Sequence, residues 1–295
     1  MNKFTVSRRG LLSAGVAASA ASLASSVFAQ EKKTSLVPDK WDLTTEVLVV
    51  RSHLAGNGKF AGLAAAVSAA QAGAKVTVIE KLAFIGGNTM ISSGYFNAVD
   101  PERQKKQGIE DSIEKHIEQT LAGGDGRADP ELVRILCSNA LGSLHWLESM
   151  GLKFNPKVGA ATGALFQRSH YPNPAGGNTY VQVLEKQLQK YGKDKLRVYL
   201  ESPATELIMK DGRVVGVKAD NHGKPLTLMA KNGVVITTGG FGSNVEFRQK
   251  VNTGVWKEAD LGKEIGCSNI GVAAQGQGLQ LAQKAGAELI GLCDI

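Results

Sequence analysis

The residues with the clearest chemical potential are a pair of glycines and a carboxylate downstream. Gly56 and Gly58 stand one residue apart, and Glu80 ends the apolar run that follows. Glycines at a helix N-terminus let backbone N–H groups approach a pyrophosphate, because any Cβ would hold the phosphate away. A strand-end Glu accepts hydrogen bonds from both ribose hydroxyls and disfavours a 2′-phosphate. The pattern predicts a dinucleotide site that does not take NADP; a solvated strand-end acid is the other interpretation of Glu80.

The glycine turn is irregular. If Gly62 is the glycine that packs the helix on the sheet, the turn carries an insertion; if Ala61 takes that role, the spacing is the permitted G-x-G-x-x-A. Either way the stretch from Arg51 to Lys59 is enlarged. It predicts weaker cofactor retention than a compact turn gives, and phosphate contacts by Arg51 and His53 are the less favoured interpretation.

Two strands and a helix must position these residues. The segments EVLVV (46–50) and AKVTVIE (74–80) are short apolar runs typical of strands buried on both faces. Between them FAGLAAAVSAAQAG combines helix formers with small residues, and Gly73 marks the C-terminal stop. With a polar linker over 30–45, this is a β-α-β unit and predicts an α/β fold.

The N-terminus resembles an export signal. Arg8 and Arg9 precede a mildly apolar Ala/Ser/Leu run, and Val27-Phe28-Ala29 has the form of a cleavage site. We therefore expect a twin-arginine signal over 1–29, cleavage after Ala29 and a periplasmic product. The many Ser and Ala residues argue against a stable membrane span. Cleavage would lower the formal charge from +7 by the three positive charges of this segment.

Composition excludes other classes. The chain has 295 residues, 43% hydrophobic and 21% charged, which suits a globular protein with a sizeable core. Basic residues are not clustered with aromatics, so nucleic acid is not an expected partner. Cys137, Cys267 and Cys293 are too far apart for a C-x-x-C or haem-attachment motif, and predict neither a metal site nor a covalently bound haem.

Three further motifs carry a family resemblance: IEKLAFIGGNTMISSGYFNA (79–98), TTGGFGSN (237–244) and AAQGQGLQLAQKAGAEL (273–289). Together they resemble the flavoprotein subunits of fumarate reductases and succinate dehydrogenases. The strongest likeness is to the soluble, exported flavocytochrome c type and its relatives acting on other 2-enoates. It covers 46–295 as an N-terminal portion of such a protein, and implies an FAD-binding Rossmann-like domain of the glutathione-reductase type with inserted helices and a β-meander.

The resemblance implies FAD and a set of contacts. In membrane-bound members a His in the glycine loop is attached to FAD; Asn88 stands at that position here, so noncovalent FAD is expected. The backbone of Ala204 or Thr205 is expected at adenine. The predicted cofactor-binding residues are Gly56, Gly58, Gly62, Glu80, Lys81, Gly87, Asn88, Thr89, Ser93, Gly94, Gly177, Ala204, Gly239 and Gly240.

The remaining segments predict supporting elements. Helical spacing marks two helices in the middle of the chain, the second with Pro130 in its first turn and Gly151 past its end. Turns at Asp211-Gly212 and His222-Gly223 predict a meander that returns to the sheet. His170 lies either near the flavin ring or in a structural loop. The family's Gly-Asp-Gly is replaced by Gly276-Gln277-Gly278, a loss of one negative charge.

The resemblance also implies a reaction. Reduced flavin would give a hydride to the C=C bond of a dicarboxylate or other 2-enoate, with electrons from an external c-type cytochrome or similar donor. In the family, the substrate-clamping His and Arg residues and the capping domain follow the point matching Ile295, so no catalytic residue is assigned here. The other interpretation is a truncated, noncatalytic nucleotide-binding product with an altered phosphate loop. An NAD-dependent dehydrogenase is disfavoured, because the GGN and TTGGFG segments would have no role in it.

Overall fold

The computed structural model describes residues 37–51, 58–266 and 274–293. The predicted signal segment, Gly56 and Cys267 lie outside these ranges. The strands are β1 (Leu43–Arg51), β2 (Val76–Glu80), β3 (Phe96–Asn97), β4 (Ser169–His170), β5 (Leu196–Tyr199), β6 (Ala204–Lys210), β7 (Arg213–Asn221) and β8 (Lys224–Ile236). The helices are α1 (Gly58–Gln71), α2 (Pro101–Lys105), α3 (Ile113–Gly123), α4 (Pro130–Ser149), α5 (Asn178–Lys190), α6 (Val245–Val251) and α7 (Gln277–Lys284), with a 3-10 turn at Gly87–Thr89.

A six-stranded sheet in the order β5-β2-β1-β8-β7-β6 organises the described chain. β5, β2, β1 and β8 run parallel, whereas β6, β7 and β8 form an antiparallel meander. This confirms the predicted α/β class. β1 begins at Leu43, so the sheet starts inside the segment that the sequence assigns to a linker. Asp42 fixes this start, since its carboxylate accepts hydrogen bonds from the backbone N–H and the hydroxyl of Thr227.

The predicted β-α-β unit is confirmed. Val47–Val50 pair in parallel with Val76–Ile79, and α1 connects the two strands. Small side chains let α1 lie close to the sheet, where Leu63, Ala66, Val67 and Ala70 are fully buried. Gly73 ends the helical segment with φ of 95°, a value that side-chain-bearing residues rarely adopt.

The meander forms where the sequence predicts it. Asp211 and Gly212 have φ of 50° and 74°, and His222 and Gly223 have 53° and 80°. Positive φ at both central residues is the type I′ hairpin pattern, whose twist matches that of the flanking strands. These turns set the register of β7 and direct β8 back beside β1.

Capping residues begin the central helices. Asp129 accepts hydrogen bonds from the N–H groups of Glu131 and Leu132, and Pro130 occupies the first turn of α4 as predicted. Ser112 caps α3 through the N–H of Lys115. Gly151 follows α4 with φ of 97°, which confirms the predicted stop.

The core has a layer on each side of the sheet. On one side α1, α4 and α5 pack over β1 and β2, and the buried centre includes Val49, Val78, Leu144 and Leu184. On the other side Leu48, Val50 and Ile79 pack against side chains of β6–β8 and α7. Among the described residues, no helix combines the length and hydropathy that a membrane crossing needs.

Candidate nucleotide-binding site

The carboxyl ends of β1, β2 and β8 meet at one edge of the sheet, because these three strands are parallel and adjacent. Arg51 ends β1 and is the register partner of Glu80 at the end of β2. Thr237 follows β8, and its N–H donates to the carbonyl of Val50 at 2.9 Å. In open α/β sheets ligands bind at such a carboxyl edge.

Arg51 and Glu80 form a buried pair at this edge. Their relative exposures are 0% and 2%, and Arg51 Nη2 lies 3.7 Å from Glu80 Oε2. Glu80 Oε1 also accepts a hydrogen bond from the N–H of Leu82 at 3.1 Å. Burial lowers the pKa of Arg51, while the carboxylates of Glu80 and Glu185 oppose that shift. Glu80 is therefore a buried carboxylate and not the solvated strand-end acid of the second interpretation.

Helix α1 starts beside this pair. Gly58 is its first residue, so the backbone N–H groups of its first turn lie next to the carboxyl end of β1. Gly62 faces the sheet: a Cβ there would lie 2.5 Å from Thr237 Oγ1 and 2.9 Å from both Cγ and Cδ of Arg51. Gly62 is thus the glycine that permits close packing of α1, the role for which Ala61 was the alternative.

The segment at the end of β2 is hydrogen-bonded to the segment that leads into β6. The N–H of Ser202 donates to the carbonyl of Glu80 at 2.7 Å, and the N–H of Glu201 donates to the carbonyl of Leu82 at 2.8 Å. Ala204, two residues on, begins β6. The predicted adenine-contacting backbone therefore lies next to the predicted ribose-binding carboxylate.

The two glycine motifs near the C-terminus also reach this edge. Gly239 has φ of 79°, and Gly240 accepts a hydrogen bond from the N–H of Gly276 at 3.1 Å. Gly278 lies against the Thr238 side chain so closely that any Cβ would overlap it. Lys81 Nζ donates to Gln277 Oε1 at 2.9 Å, so the glutamine that replaces the expected aspartate contacts the end of β2. Burial lowers the pKa of Lys81.

A second group of predicted residues surrounds the loop 86–94. The N–H of Gly177 donates to the carbonyl of Ser92 at 2.8 Å, and a Cβ on Gly177 would overlap the carbonyl of Thr89. Gly94 has φ of 73°, and a Cβ there would lie 2.7 Å from the carbonyl carbon of Gly176. This group consists of Gly87, Asn88, Thr89, Ser93, Gly94 and Gly177.

Tyr180 connects the second group to α1. Its hydroxyl donates to the carbonyl of Gly94 at 2.7 Å, and its ring meets that of Phe60 edge-on with centroids 5.5 Å apart. Burial raises the pKa of Tyr180, which keeps the hydroxyl a donor. The loop and the start of α1 are therefore held in a fixed relation.

His170 supports the loop interpretation. It is fully buried, and because a carbonyl only accepts, its Nε2–H donates to the carbonyl of Ala98 at 3.1 Å. Burial lowers its pKa. Neighbouring Arg168 donates from Nη2 to Asp111 Oδ1 at 2.7 Å and from Nε to Oδ2 at 2.9 Å. This pair joins the two-stranded β3–β4 sheet to the start of α3, so the Arg-Ser-His segment has a structural role.

Two features of this edge are not assigned to the site by the sequence motifs. Thr237 and Thr238 stand between β8 and the predicted cofactor-binding Gly239 and Gly240. A threonine doublet directly after an apolar strand is the sequence signal that could have identified them. The sequence pattern disfavours a phosphate contact by Arg51, and the burial of this residue depends on tertiary packing. Of the enlarged turn, residues 52–57 lie outside the described ranges.

Comparison with known proteins agrees with this geometry. A family profile described as an FAD binding domain matches residues 55–294. The chain belongs to this FAD-binding family. FAD is therefore its cofactor, as the family resemblance implies.

Several individual proteins similar to this chain in sequence or structure are reductases. The FAD-binding chain is 37% identical over 265 residues to urocanate reductase from Eggerthella lenta, covering 88% of this chain and 41% of that protein. It is 31% identical to the acrylate reductase flavoprotein subunit of Shewanella woodyi, covering 100% of this chain and 56% of that one. The open conformation of a flavocytochrome c3 fumarate reductase superposes with a TM-score of 0.72 at 32% identity, over 84% of this chain and 41% of that one. The chain thus spans about half or less of the length of these relatives, and what it matches is their FAD-binding part.

The described residues fit an FAD molecule on physical grounds. Gly62 and Gly278 let α1 and α7 pack directly against the side chains of Thr237 and Thr238, so both helices lie close to the strand ends. The guanidinium of Arg51 is buried, and its nitrogens have no hydrogen-bond partner within the described ranges, which suits an anionic group. Glu80 provides carboxylate oxygens beside it for hydroxyl donors.

Proposed function

We propose that this chain is the FAD-binding part of an exported reductase that acts on the C=C bond of a dicarboxylate or other 2-enoate. The observation that carries the proposal is the meeting of Glu80, α1 and the glycine motifs at one edge of the sheet, in a chain matched by reductases of urocanate and acrylate. Both named substrates are 2-enoates, and fumarate, the substrate in the matched structure's name, is a third.

The residues of the carboxyl edge are proposed to hold the adenosine and pyrophosphate end of FAD. Glu80 accepts hydrogen bonds from ribose hydroxyls, the start of α1 faces the pyrophosphate, and the backbone around Ala204 faces adenine. Gly58, Gly62, Gly239 and Gly240 allow the close approach, and Lys81 borders the site through its contact with Gln277. Gly56 belongs to the same proposal but lies outside the described residues.

The loop 86–94 and Gly177 are proposed to approach the flavin end. Gly87 and Gly94 have positive φ, so the loop turns sharply. The N–H groups of Met90 and Ser92 donate within the loop and hold this turn. Asn88, Thr89 and Ser93 add polar side chains. With Asn88 at the position where some relatives have an attached His, the cofactor is held noncovalently.

Bound FAD in its reduced form supplies a hydride, which suits reduction of an activated C=C bond. The protein orients that cofactor and excludes competing contacts. An external c-type cytochrome or similar donor is proposed to supply the electrons. The twin-arginine pattern at Arg8 and Arg9 supports assembly before export and function in the periplasm.

The cofactor part is tested with purified chain. We expect a yellow protein whose flavin is fully released by acid, because no covalent link is proposed. Glu80→Gln should weaken FAD binding by about tenfold, since charged hydrogen bonds are about twice as strong as neutral ones. Glu118→Gln on the exposed face of α3 is the matched control and should bind like the unchanged chain. A colourless protein that takes up no FAD would contradict the assignment.

The reductase part is tested by anaerobic reoxidation. Chain carrying dithionite-reduced flavin is mixed with fumarate, acrylate or urocanate, and flavin absorbance is followed against the saturated analogues succinate, propionate and dihydrourocanate. Reoxidation by an enoate and not by its saturated analogue supports the proposal. Reoxidation at the same rate with all six acids would reject it.

Export is tested separately by cell fractionation. The unchanged chain should accumulate in the periplasm in a shortened form that begins after Ala29. The double variant Arg8→Lys and Arg9→Lys keeps the charge but removes the twin arginine, and it should stay full-length in the cytoplasm. Equal distribution of the two proteins would count against twin-arginine export.

A further inference from the structure

Arg51 has a combination of burial and missing partners that its ion pair does not explain. The residue is 0% exposed, and its Nε, Nη1 and Nη2 atoms have no hydrogen-bond partner among the residues that the structure describes. The nearest carboxylate oxygen, Glu80 Oε2, is 3.7 Å from Nη2, beyond hydrogen-bonding distance. A guanidinium carries five N–H donors, so most of the hydrogen-bonding capacity of Arg51 is unmet by the described part of the chain.

The surroundings fix where this guanidinium lies. Its aliphatic part runs under α1, since Cγ and Cδ both lie 2.9 Å from the place where a Gly62 Cβ would be. Its head lies beside Glu80 at the carboxyl edge. Helix α1 begins at Gly58, so the partial positive charge of its N-terminus lies on the same side of the sheet. The guanidinium and the first turns of α1 therefore lie close together at the carboxyl end of β1.

Such an arrangement is unfavourable for the protein alone. A buried charge without hydrogen bonds is strongly destabilising, and one carboxylate at the observed distance does not satisfy a planar, five-donor group. A phosphate oxygen would satisfy it, because guanidinium and phosphate match in charge and in bidentate geometry. Ordinary dinucleotide turns rely on glycine backbone donors at this position and place no cation there.

We propose that Arg51 binds a pyrophosphate oxygen of FAD, in addition to its pairing with Glu80. The inference rests on the assignment of FAD as cofactor. Glu80 then has two functions, because it accepts from the ribose hydroxyls and also holds the guanidinium in place. The enlarged glycine turn is accordingly compensated by a side-chain cation at the end of β1.

The experiment measures the affinity of the full chain for three ligands that differ in phosphate content. FAD and ADP contain the pyrophosphate, whereas adenosine has the same base and ribose without it. Binding is followed by calorimetry and by quenching of flavin fluorescence, and thermal unfolding of each ligand-free variant reports on folding. The variants are Arg51→Met and Arg51→Lys, and the matched control is Arg134→Met, which removes an arginine that is 62% exposed on α4.

We expect Arg51→Met to bind FAD and ADP about tenfold more weakly, and adenosine within about twofold of the unchanged chain. Arg51→Lys keeps the charge but loses the fork, so the loss for FAD and ADP should be about threefold. Arg134→Met should bind all three ligands normally. If Arg51→Met fails to fold, the lysine variant alone decides the question by the same comparison.

Three results would overturn the inference. Unchanged or tighter FAD binding in a folded Arg51 variant would show that the guanidinium does not contact phosphate or that it obstructs the site. Parallel loss of adenosine would show a purely structural role through Glu80. Failure of the unchanged chain to bind either FAD or ADP would overturn this inference together with the cofactor assignment. Normal FAD binding, with reduced flavin reoxidised at equal rates by enoates and by their saturated analogues, would reject the reductase proposal alone.

Discussion

Gly62→Ala tests whether close packing of α1 on the sheet requires a glycine at position 62. The added Cβ would lie 2.5 Å from Thr237 Oγ1 and 2.9 Å from Arg51 Cγ and Cδ, all on buried or half-buried side chains. Overpacking of this kind costs about 1–3 kcal/mol, and the shortest contact places Gly62 near the upper value. Alanine regains about 1 kcal/mol through helix propensity, so the expected net loss is about 2 kcal/mol.

The matched control is Gly142→Ala in α4. This glycine is also helical, but nothing lies within 4 Å of the position where its Cβ would be. The propensity gain is then unopposed, and we expect about 1 kcal/mol of added stability. At about 2–4 °C per kcal/mol, thermal unfolding followed by circular dichroism should show Gly142→Ala melting about 3 °C higher and Gly62→Ala about 6 °C lower than the unchanged chain.

A second-site variant identifies the contact responsible. Thr237→Ala removes the nearest atom, so the double variant Gly62→Ala with Thr237→Ala should recover at least half of the loss in a double-mutant cycle. The reasoning is refuted if Gly62→Ala is as stable as Gly142→Ala. It is also refuted if removal of the Thr237 hydroxyl recovers nothing, because the clash would then not be the cause.

Three other changes have defined outcomes. Arg168→Met leaves the buried carboxylate of Asp111 without its cation. The free energy of unfolding, measured with urea, should decrease by about 3–5 kcal/mol. A decrease of under about 1 kcal/mol would mean that the pair is dispensable. Burial lowers the pKa of His170 in the folded chain, so the unfolded chain takes up this proton at a higher pH than the folded chain does. The free energy of unfolding should be at its full value above the unfolded pKa of about 6.5 and should decrease as the pH falls below it. The decrease should be less steep in His170→Gln. Gln277→Asp places a carboxylate near the Lys81 amine and should change stability by no more than about 1 kcal/mol, with FAD affinity little altered; a large effect on either would give Gln277 a specific role.

Local patterns predict the elements of this fold well. The β-α-β unit follows from apolar runs around an Ala-rich helix, and the two hairpins follow from residue pairs that tolerate positive φ. Pro130 and Gly151 bound α4 for reasons of backbone geometry that act within one helical turn. Such signals depend on a few neighbouring residues and can therefore be read without knowledge of the tertiary structure.

The interactions within the candidate site depend on distant parts of the chain. The Arg51–Glu80 pair needs the register of β1 against β2, and the Lys81–Gln277 bond needs α7 to return to the end of β2. The two interpretations of His170 differ only in what surrounds the ring, which the sequence around it does not specify. Burial and partners of side chains are set by packing, so the motifs predict which residues meet but not their pairing.

The place of β1 in the sheet has a consequence for biosynthesis. Its neighbour on one side is β2, which is translated soon after it, but on the other side Val50 pairs with Ile236 of β8. During translation one edge of a largely apolar strand stays unpaired until β8, which ends at Ile236, has left the ribosome. Contacts of such long sequence separation slow folding and expose a strand edge to other chains. The nucleotide site shares this delay, since Thr237 and the glycines after it arrive with β8, so cofactor loading has to be a late event that follows synthesis of the meander.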